Sequence, residues 1–188
     1  MACESHHTFS LLTEEENSNL KNMLPSYKTS KMLYKATLDG FTSKSFHEKS
    51  DGKTNTVTII KNNLDYVFGG FTSKVWTTEL NYGWIYDPDA FIFSVRRKGT
   101  ANNEKFKVND PEHSVLSHHL YGPSFGHDIL IIDESNTNYG SYCNLGDHFE
   151  LPQDYKYGED NTSDYLAGKF DDWLTSEIEV HQLEISNS

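Results

Sequence analysis

One serine lies in a pattern that serine hydrolases use. The segment GPSFG at residues 122–126 fits G-x-S-x-G, the nucleophile elbow, in which a strand precedes the serine and a helix follows it. Here the following HDILII, residues 127–132, has the apolar pattern of a buried strand. Pro123 also removes an amide hydrogen directly before Ser124. The context that the motif needs is missing, so we expect Ser124 to be structural.

Four histidines between residues 113 and 127 raise the question of a metal site. They are His113, His118, His119 and His127, and Asp128 follows the last of them. Catalytic zinc commonly takes three such ligands. No pair has helical i, i+4 spacing with a glutamate between, and an extended chain would point His118 and His119 in opposite directions. We therefore predict a polar loop with a His127–Asp128 pair at the start of a strand, no metal and no cofactor.

Other side chains that could do chemistry are a carboxylate pair and a thiol. Glu177 and Glu179 would project from one face of a strand, where mutual repulsion could raise one pKa. A glycosidase would need such a pair in a cleft, whereas we interpret this one as the solvated face of an edge strand. Cys143 has no basic neighbour in sequence that would lower its pKa. We predict an ordinary or buried thiol there, and no enzyme.

Charge and composition exclude several classes of partner. The 188 residues carry a net charge of −12, and no basic run exceeds Arg96-Arg97-Lys98, which disfavours nucleic acid and anionic lipid. The start, MACESHHTFSLL, lacks the basic and apolar regions of a secretory signal, and no apolar run approaches a membrane span. Cys3 and Cys143 have no disulfide or zinc spacing. We expect a cytoplasmic protein without membrane insertion, or one peripheral to an organelle membrane or a larger assembly.

Two helices are indicated by their start and stop signals. Thr13 and Glu16 form a capping box at the start of the first helix, which Pro25 ends. A second helix is predicted from residue 42 or 43 to just before the Asp-Gly pair at 51–52. Two or three short helices in all are expected.

The rest of the chain is predicted to be rich in strands. Phe91, Phe93 and Val95 share one face of such a strand. Gly69 and Gly70 lie inside another and indicate a bulge or a close approach of backbone. Strands are predicted at residues 32–35, 56–60, 66–72, 90–95, 127–132, 165–170 and 177–183. The class is β-rich α+β in one domain.

Eight short motifs, in order, resemble the TLDc domain family. They follow LLTEEENSNLKNMLP, which is similar to the N-terminal helix of that family, and the resemblance covers about residues 10–184. The motifs are MLYKAT, LDGFTSKSFHEKSDGK, VFGGFTSKVW, DPDAFIFSV, YGPSFGHDILI, NTNYGSYCNLG, LAGKF and SEIEVHQLE. The resemblance implies a two-sheet antiparallel β-sandwich with a few short flanking helices. We expect a disordered segment at 1–9, the domain at 10–184 and a tail at 185–188.

The chain departs from the family pattern at two places. Many members read GPTFGGGHD where this chain reads GPSFGHD, so Ser124 replaces a threonine and Gly126 stands where they carry three glycines. The resemblance makes this segment a turn that leads into a central strand. Ser50 stands where many members have a cysteine.

The resemblance also implies a function. Members are associated with protection against oxidative damage, several bind and regulate the vacuolar proton ATPase, and the fold has no accepted catalytic mechanism. We expect a non-enzymatic domain that binds a protein partner, with oligomeric state left open. The alternatives are a cryptic hydrolase or redox enzyme, using Ser124 or Cys143 with His127 and Asp128, or else Glu177 with Glu179, and a scaffold subunit of a larger, for example cytoskeletal, assembly.

Three loops are the candidate contact regions. They are the segment around Gly69 and Gly70, the turn from Gly122 through Ser124, Gly126 and His127 to Asp128, and the segment from Asn136 through Ser141 to Gly146. Their turn residues can also serve only the backbone, and for each glycine we favour that structural interpretation. Trp76, Trp84 and Trp173 are candidate interface residues, with core packing expected for at least one of them.

Overall fold

The computed structural model describes residues 8–79 and 83–186, and its first element is the predicted capped helix. Helix α1 spans Glu14–Met23. The Thr13 hydroxyl accepts a hydrogen bond from the Glu16 amide, and the Glu16 carboxylate accepts one from the Thr13 amide. This reciprocal capping box confirms the predicted start, and the chain leaves the helix before Pro25.

Strands dominate the remainder of the described chain. The second predicted helix is confirmed at Ser43–Ser50, and Thr42 caps it by accepting from the Ser45 amide. The elements after α1 are β1 (Tyr27–Lys35), α2 (Ala36–Asp39), α3 (Ser43–Ser50), β2 (Thr56–Asn62), β3 (Val67–Thr72), β4 (Gly83–Ile85), β5 (Phe91–Arg97), β6 (Thr100–Lys107), a 3-10 turn (Pro111–His113), β7 (Val115–Ser117), β8 (Ile129–Leu130), β9 (Tyr142–Cys143), α4 (Asp160–Ser163) and β10 (Thr175–Ile185).

Six of the strands form one antiparallel sheet in the order β1-β10-β2-β3-β5-β6. Its two faces are both covered, because alternate residues of the strands point into two different cores. One core includes Ile60, Phe68 and Ile92, and the other includes Ile59 and Phe93. The second core is closed by residues of α1 and by Phe9. The sheet is therefore buried on both sides at its centre.

The other layer of the sandwich is built from small pieces. Strand β4 pairs with β7, and β8 pairs with β9. Isolated bridges join Leu116 to Ser124 and Phe125 to Ile129. Phe125 is fully buried and packs on Trp76 in the first core, so this layer is pinned to the main sheet. The observed fold is the predicted β-rich architecture with a few short helices.

The predicted strand at residues 165–170 is wrong, and the one at 127–132 is confirmed only over two residues. Residues 127–132 contain only the two-residue β8, in the small layer rather than in the main sheet, because Gly126, at φ +57, turns the chain at residues 126–128. Residues 165–170 form turns, although Tyr165 and Leu166 are buried, because Gly168 adopts φ +86 and breaks any extended run. In both segments the apolar residues correctly predicted that the chain is buried, but they did not predict that it turns instead of staying extended.

One long strand was missed by sequence analysis. Strand β6, TANNEKFK, lies at the edge of the main sheet and is half exposed. Its side chains are mostly polar, so no apolar alternation marked it.

At both ends, the ordered structure reaches slightly beyond the domain boundaries predicted from the sequence. The predicted disordered segment 1–9 lies mostly outside the described residues, together with Cys3, but Phe9 is buried and its amide donates to Asn17. At the other end β10 reaches Ile185, one residue past the predicted boundary. Within residues 8–79 and 83–186, no helix has the length and apolar character needed to cross a membrane.

Candidate functional site

Two turns meet at a buried carboxylate. Asp128 is fully buried, and its oxygens accept hydrogen bonds from three consecutive amides, those of Gly146 at 2.6 Å, Asp147 at 3.1 Å and His148 at 2.8 Å. Burial raises the pKa of this carboxyl to about 7, while the three amides act in the opposite direction. The side chain thus holds the Gly146–His148 turn against the Gly126–Asp128 turn.

Glycine is required on both turns. Gly126 has φ +57, and a Cβ there would lie 2.8 Å from Asp128 Oδ2 and 3.0 Å from a carbon of the His148 ring. Gly146 has φ +100, and a Cβ there would lie 2.5 Å from the Leu151 side chain. The close approach of the two turns therefore depends on side-chain-free positions.

Three histidine rings surround one tryptophan on the outer side of these turns. Trp84, on β4, is half-buried, and its indole meets the rings of His113, His127 and His148 at centroid distances of 5.1, 5.1 and 5.5 Å. All three contacts are edge-to-face. Apolar aromatic surface thus forms one wall of the group.

Two carboxylates complete the group. Asp147 Oδ2 lies 3.0 Å from His127 Nδ1 and 3.3 Å from His148 Nε2. Asp110 Oδ2 lies 2.7 Å from His113 Nδ1 and 3.4 Å from His148 Nδ1. We call Trp84, His113, His127, His148, Asp110 and Asp147 the histidine cluster.

The histidine cluster contains two overlapping sets of three metal-type donors. One set is Asp110, His113 and His148, the other is His127, Asp147 and His148, and in each set the donor atoms lie within 4.8 Å of one another. Burial lowers the pKa of the His148 ring, against the opposing effect of the two carboxylates. A neutral imidazole is the form that binds a metal ion.

The structure brings together only half of the four histidines singled out in sequence. His113 and His127 meet in the cluster, whereas His118 and His119 pack on each other elsewhere, with centroids 4.4 Å apart. The predicted His127–Asp128 pair is wrong, because Asp128 turns inward to the amides and His127 faces Asp147 instead.

Sequence reasoning missed three members of the histidine cluster. Asp110 lies in a different loop from Asp147 and His148, more than 35 residues earlier in the chain. The adjacent Asp147-His148 pair was the available signal, because two potential ligands stand side by side in a loop closed by Gly146.

A family model for the TLDc domain matches residues 5–184. The chain belongs to the TLDc domain family. No curated protein matches the sequence.

The candidate nucleophiles of this TLDc domain are buried. Ser124 is 0% exposed, and its hydroxyl donates to the Gly122 carbonyl at 3.1 Å and accepts from the Ile131 amide at 3.3 Å. Cys143 is also 0% exposed, and burial raises the pKa of its thiol well above the usual value. Both side chains are thus enclosed by the fold, and the Ser124 hydroxyl bridges two backbone groups.

Several predicted contact residues lie inside the TLDc domain rather than on its surface. A Cβ on Gly69 would lie 1.9 Å from the Thr58 carbonyl oxygen, and one on Gly70 would lie 2.7 Å from the Phe125 ring. The predicted close approach is therefore observed. Trp76 and Trp173 are fully buried, which confirms the core packing expected for at least one tryptophan and removes these two as interface candidates, whereas half-buried Trp84 reaches the histidine cluster.

The segment from Asn136 to Gly146 presents aromatic side chains. Asn136 is exposed, while Ser141 is buried and accepts from the Ile132 amide. Tyr139 is 61% exposed, and Phe170, 41% exposed, stacks on the Tyr142 ring at 5.5 Å. We call Tyr139, Tyr142 and Phe170 the aromatic patch.

The predicted edge-strand carboxylates are in fact interior. Strand β10 lies between β1 and β2, so Glu177 and Glu179 are not on an edge, and Glu179 is 0% exposed. Glu179 Oε1 lies 2.7 Å from Lys35 Nζ, and Glu177 accepts from the Thr37 amide at 3.1 Å. Neither carboxylate faces an open cleft, because each is engaged by the neighbouring β1 and α2 region.

Proposed function

We propose that this TLDc domain is a non-enzymatic interaction domain, that its partner is the vacuolar proton ATPase, and that it acts in protection against oxidative stress from the cytoplasmic side. The observation that carries the proposal is the family match over residues 5–184. Burial of Ser124 and Cys143 supports the absence of chemistry, since neither can meet a substrate without local opening.

The aromatic patch is the surface that we propose for contact. Exposed aromatic side chains are enriched at protein interfaces, because they bury much area at low entropic cost. Tyr139 and Phe170 are both exposed, and the Tyr142 ring stacks on the Phe170 ring. The patch lies on the segment predicted for partner contact, between Asn136 and Gly146, and on the turn that follows Gly168.

The binding experiment uses purified vacuolar proton ATPase and the full chain. We expect the double variant Tyr139→Ser, Phe170→Ser to bind the ATPase at least about tenfold more weakly than the wild type, because interface hot spots cost about 2 kcal/mol or more. Leu38→Ser is the matched control, since Leu38 is 79% exposed on α2, outside the patch. If the wild type does not bind, the ATPase is not the partner. If the double variant binds as tightly as the wild type, the aromatic patch is not the contact surface.

A separate experiment tests the proposal that the domain is not an enzyme. A fluorophosphonate and a thiol-reactive probe are applied to the folded and to the urea-unfolded chain. We expect the thiol probe to label Cys143 only after unfolding, and Ser124 to remain unlabelled in both states, because the folded chain buries both groups. Stoichiometric labelling of either residue in the folded chain would favour the alternative of a cryptic hydrolase or redox enzyme.

A further inference from the structure

We infer that the histidine cluster binds one divalent transition-metal ion of the zinc type, held by His127 Nδ1, Asp147 Oδ2 and His148 Nε2. This inference goes beyond the proposed interaction function and does not depend on the identity of the partner. Imidazole and carboxylate are the ligands that zinc takes in open, three-ligand protein sites. The expectation from sequence was that no metal is bound, and it rested on histidine spacing along the chain alone.

The distances between the donor atoms suit a tetrahedral ion. With metal–ligand bonds of about 2.0–2.1 Å, two ligands of a tetrahedral zinc ion lie roughly 3.3 Å apart. The separations from Asp147 Oδ2 are 3.0 Å to His127 Nδ1 and 3.3 Å to His148 Nε2. Two of the three separations are therefore close to the tetrahedral value, and the third, between His127 Nδ1 and His148 Nε2, is at most 4.8 Å.

One of the three proposed donor atoms has no hydrogen-bond partner within the described chain. His148 Nε2 is buried and makes no hydrogen bond, because its 3.3 Å contact with Asp147 does not have hydrogen-bond geometry. An unpaired buried ring nitrogen costs free energy unless something satisfies it. A metal ion between His148 and Asp147 would supply the missing partner.

The opposite ring nitrogen of His148 has the neighbour that a zinc ligand requires. His148 Nδ1 lies 3.4 Å from Asp110 Oδ2. Histidines that bind metal through one nitrogen commonly direct the other N–H to a carboxylate, which sets the tautomer and the ring orientation. Asp110 therefore acts as a positioning residue behind His148.

The backbone of the proposed site is held in place before any ion arrives. Asp128 binds the amides of Gly146, Asp147 and His148, so both ligands on that turn are fixed from below. His127 is 42% exposed on the facing turn. Its exposure leaves a side open to water or to a group from a partner as the fourth ligand.

The alternative set of donors is less suited to an ion. Asp110 Oδ2 and His113 Nδ1 lie 2.7 Å apart and meet the criteria of an ordinary hydrogen bond. The favoured set also contains a hydrogen bond, between His127 Nδ1 and Asp147 Oδ2 at 3.0 Å, so an ion would replace one such contact in either set. The difference is that only the Asp147 side faces the unpaired Nε2 of His148. We therefore place the ion on the Asp147 side of His148.

Zinc titration of the chelator-treated full chain tests the inference. Calorimetry at about pH 7.5, where unligated histidines are mostly neutral, is expected to give one zinc ion per chain. His127→Ala and Asp147→Asn are each expected to weaken zinc binding by more than about tenfold, and Asp110→Asn by about tenfold. Zinc should raise the melting temperature of the wild type and not that of His127→Ala.

Two matched histidine controls decide the location. His119→Ala removes an exposed histidine outside the cluster, and His113→Ala removes a donor of the alternative set, whose ring also stacks on His148. His119→Ala should keep wild-type zinc affinity, and His113→Ala should weaken zinc binding clearly less than His127→Ala does. Zinc binding by His127→Ala at wild-type strength, loss of binding in His113→Ala alone, or no saturable binding by the wild type would each overturn the inference. Melting temperatures of the metal-free variants establish that each one is folded.

Discussion

Two groups of ionisable side chains differ in how completely they are satisfied within the fold. In the first group, which we call the Glu179 cluster, Glu179 contacts Lys35, His181 and Ser10. Glu179 and His181 are 0% and 4% exposed, so the carboxylate and the imidazole of this cluster are closed to solvent. In the histidine cluster, by contrast, His113, His127 and Asp110 are each 42% exposed.

The contrast separates a structural role from a binding role. Every oxygen of Glu179 has a partner within the chain, so an added ligand would displace an existing bond. In the histidine cluster a buried nitrogen of His148 remains without a hydrogen bond. Charged groups that are fully paired in the interior hold a fold together, whereas incompletely paired ones beside solvent can accept a ligand.

The largest expected effect on stability is in the Glu179 cluster. Glu179→Gln should lower the free energy of unfolding by about 3 kcal/mol, because Lys35 and His181 lose the buried anion that both contact. Urea unfolding at neutral pH measures the change. Asp147→Asn is the matched change in the histidine cluster and should cost less than about 1 kcal/mol. Equal losses of unfolding free energy in the two variants would contradict the distinction between the clusters.

Acid should weaken the Glu179 cluster in a defined pH range. Burial raises the pKa of Glu179, but bonds from His181, Lys35 and Ser10 outweigh it and lower the pKa from 4.5 to about 2. Because the folded pKa lies below the unfolded one, the stabilisation is complete above pH 4.5 and is lost as the pH falls towards 2. The loss is on the order of 2–3 kcal/mol.

Unfolding curves at a series of pH values test this dependence. Lys35, Glu177 and His181 are the other charged or titratable groups of β1 and β10 that lie beside Glu179 or Lys35, and they are unchanged in Glu179→Gln. The variant should therefore show a flatter decline below pH 4.5 than the wild type. Parallel curves for the two proteins would assign the acid sensitivity to other carboxylates.

A smaller effect is expected beneath the histidine cluster. Asp128→Asn should lower the free energy of unfolding by about 2 kcal/mol, because an NH2 group replaces one of the two oxygens that accept from the amides of Gly146, Asp147 and His148 and cannot itself accept. Hydrogen exchange should quicken at those three amides before global unfolding. Unchanged exchange would mean that the turn does not depend on the Asp128 carboxylate.

The smallest effect is expected at the rim of the histidine cluster. His127→Ala should change the free energy of unfolding by less than about 0.5 kcal/mol, because the ring is 42% exposed and Asp147 stays hydrated without it. His181→Ala, in the closed cluster, should cost more than about 1 kcal/mol, since it removes a buried partner of Glu179. A reversed order would contradict the assignment of the two roles.

Local rules recovered much of the fold from the sequence. The capping box at Thr13 and the cap at Thr42 placed two helix starts, because cap geometry depends only on neighbouring residues. Apolar alternation placed the strands β2, β3 and β5 within a few residues. The order of the TLDc motifs added the fold class, which the family match confirms. The misread segments, 127–132 and 165–170, are those in which a glycine with positive φ turns an apolar run.

The sequence by itself determined the capped helices, the main strands, the acidic charge and the membership of the TLDc family. Only the tertiary structure decided that Ser124 is buried, that β10 is interior, and that His127 and His148 meet at Asp147. The reason is that secondary structure follows from contacts between near neighbours in the chain. Burial, strand order and the meeting of two loops follow instead from long-range packing, which no local pattern records.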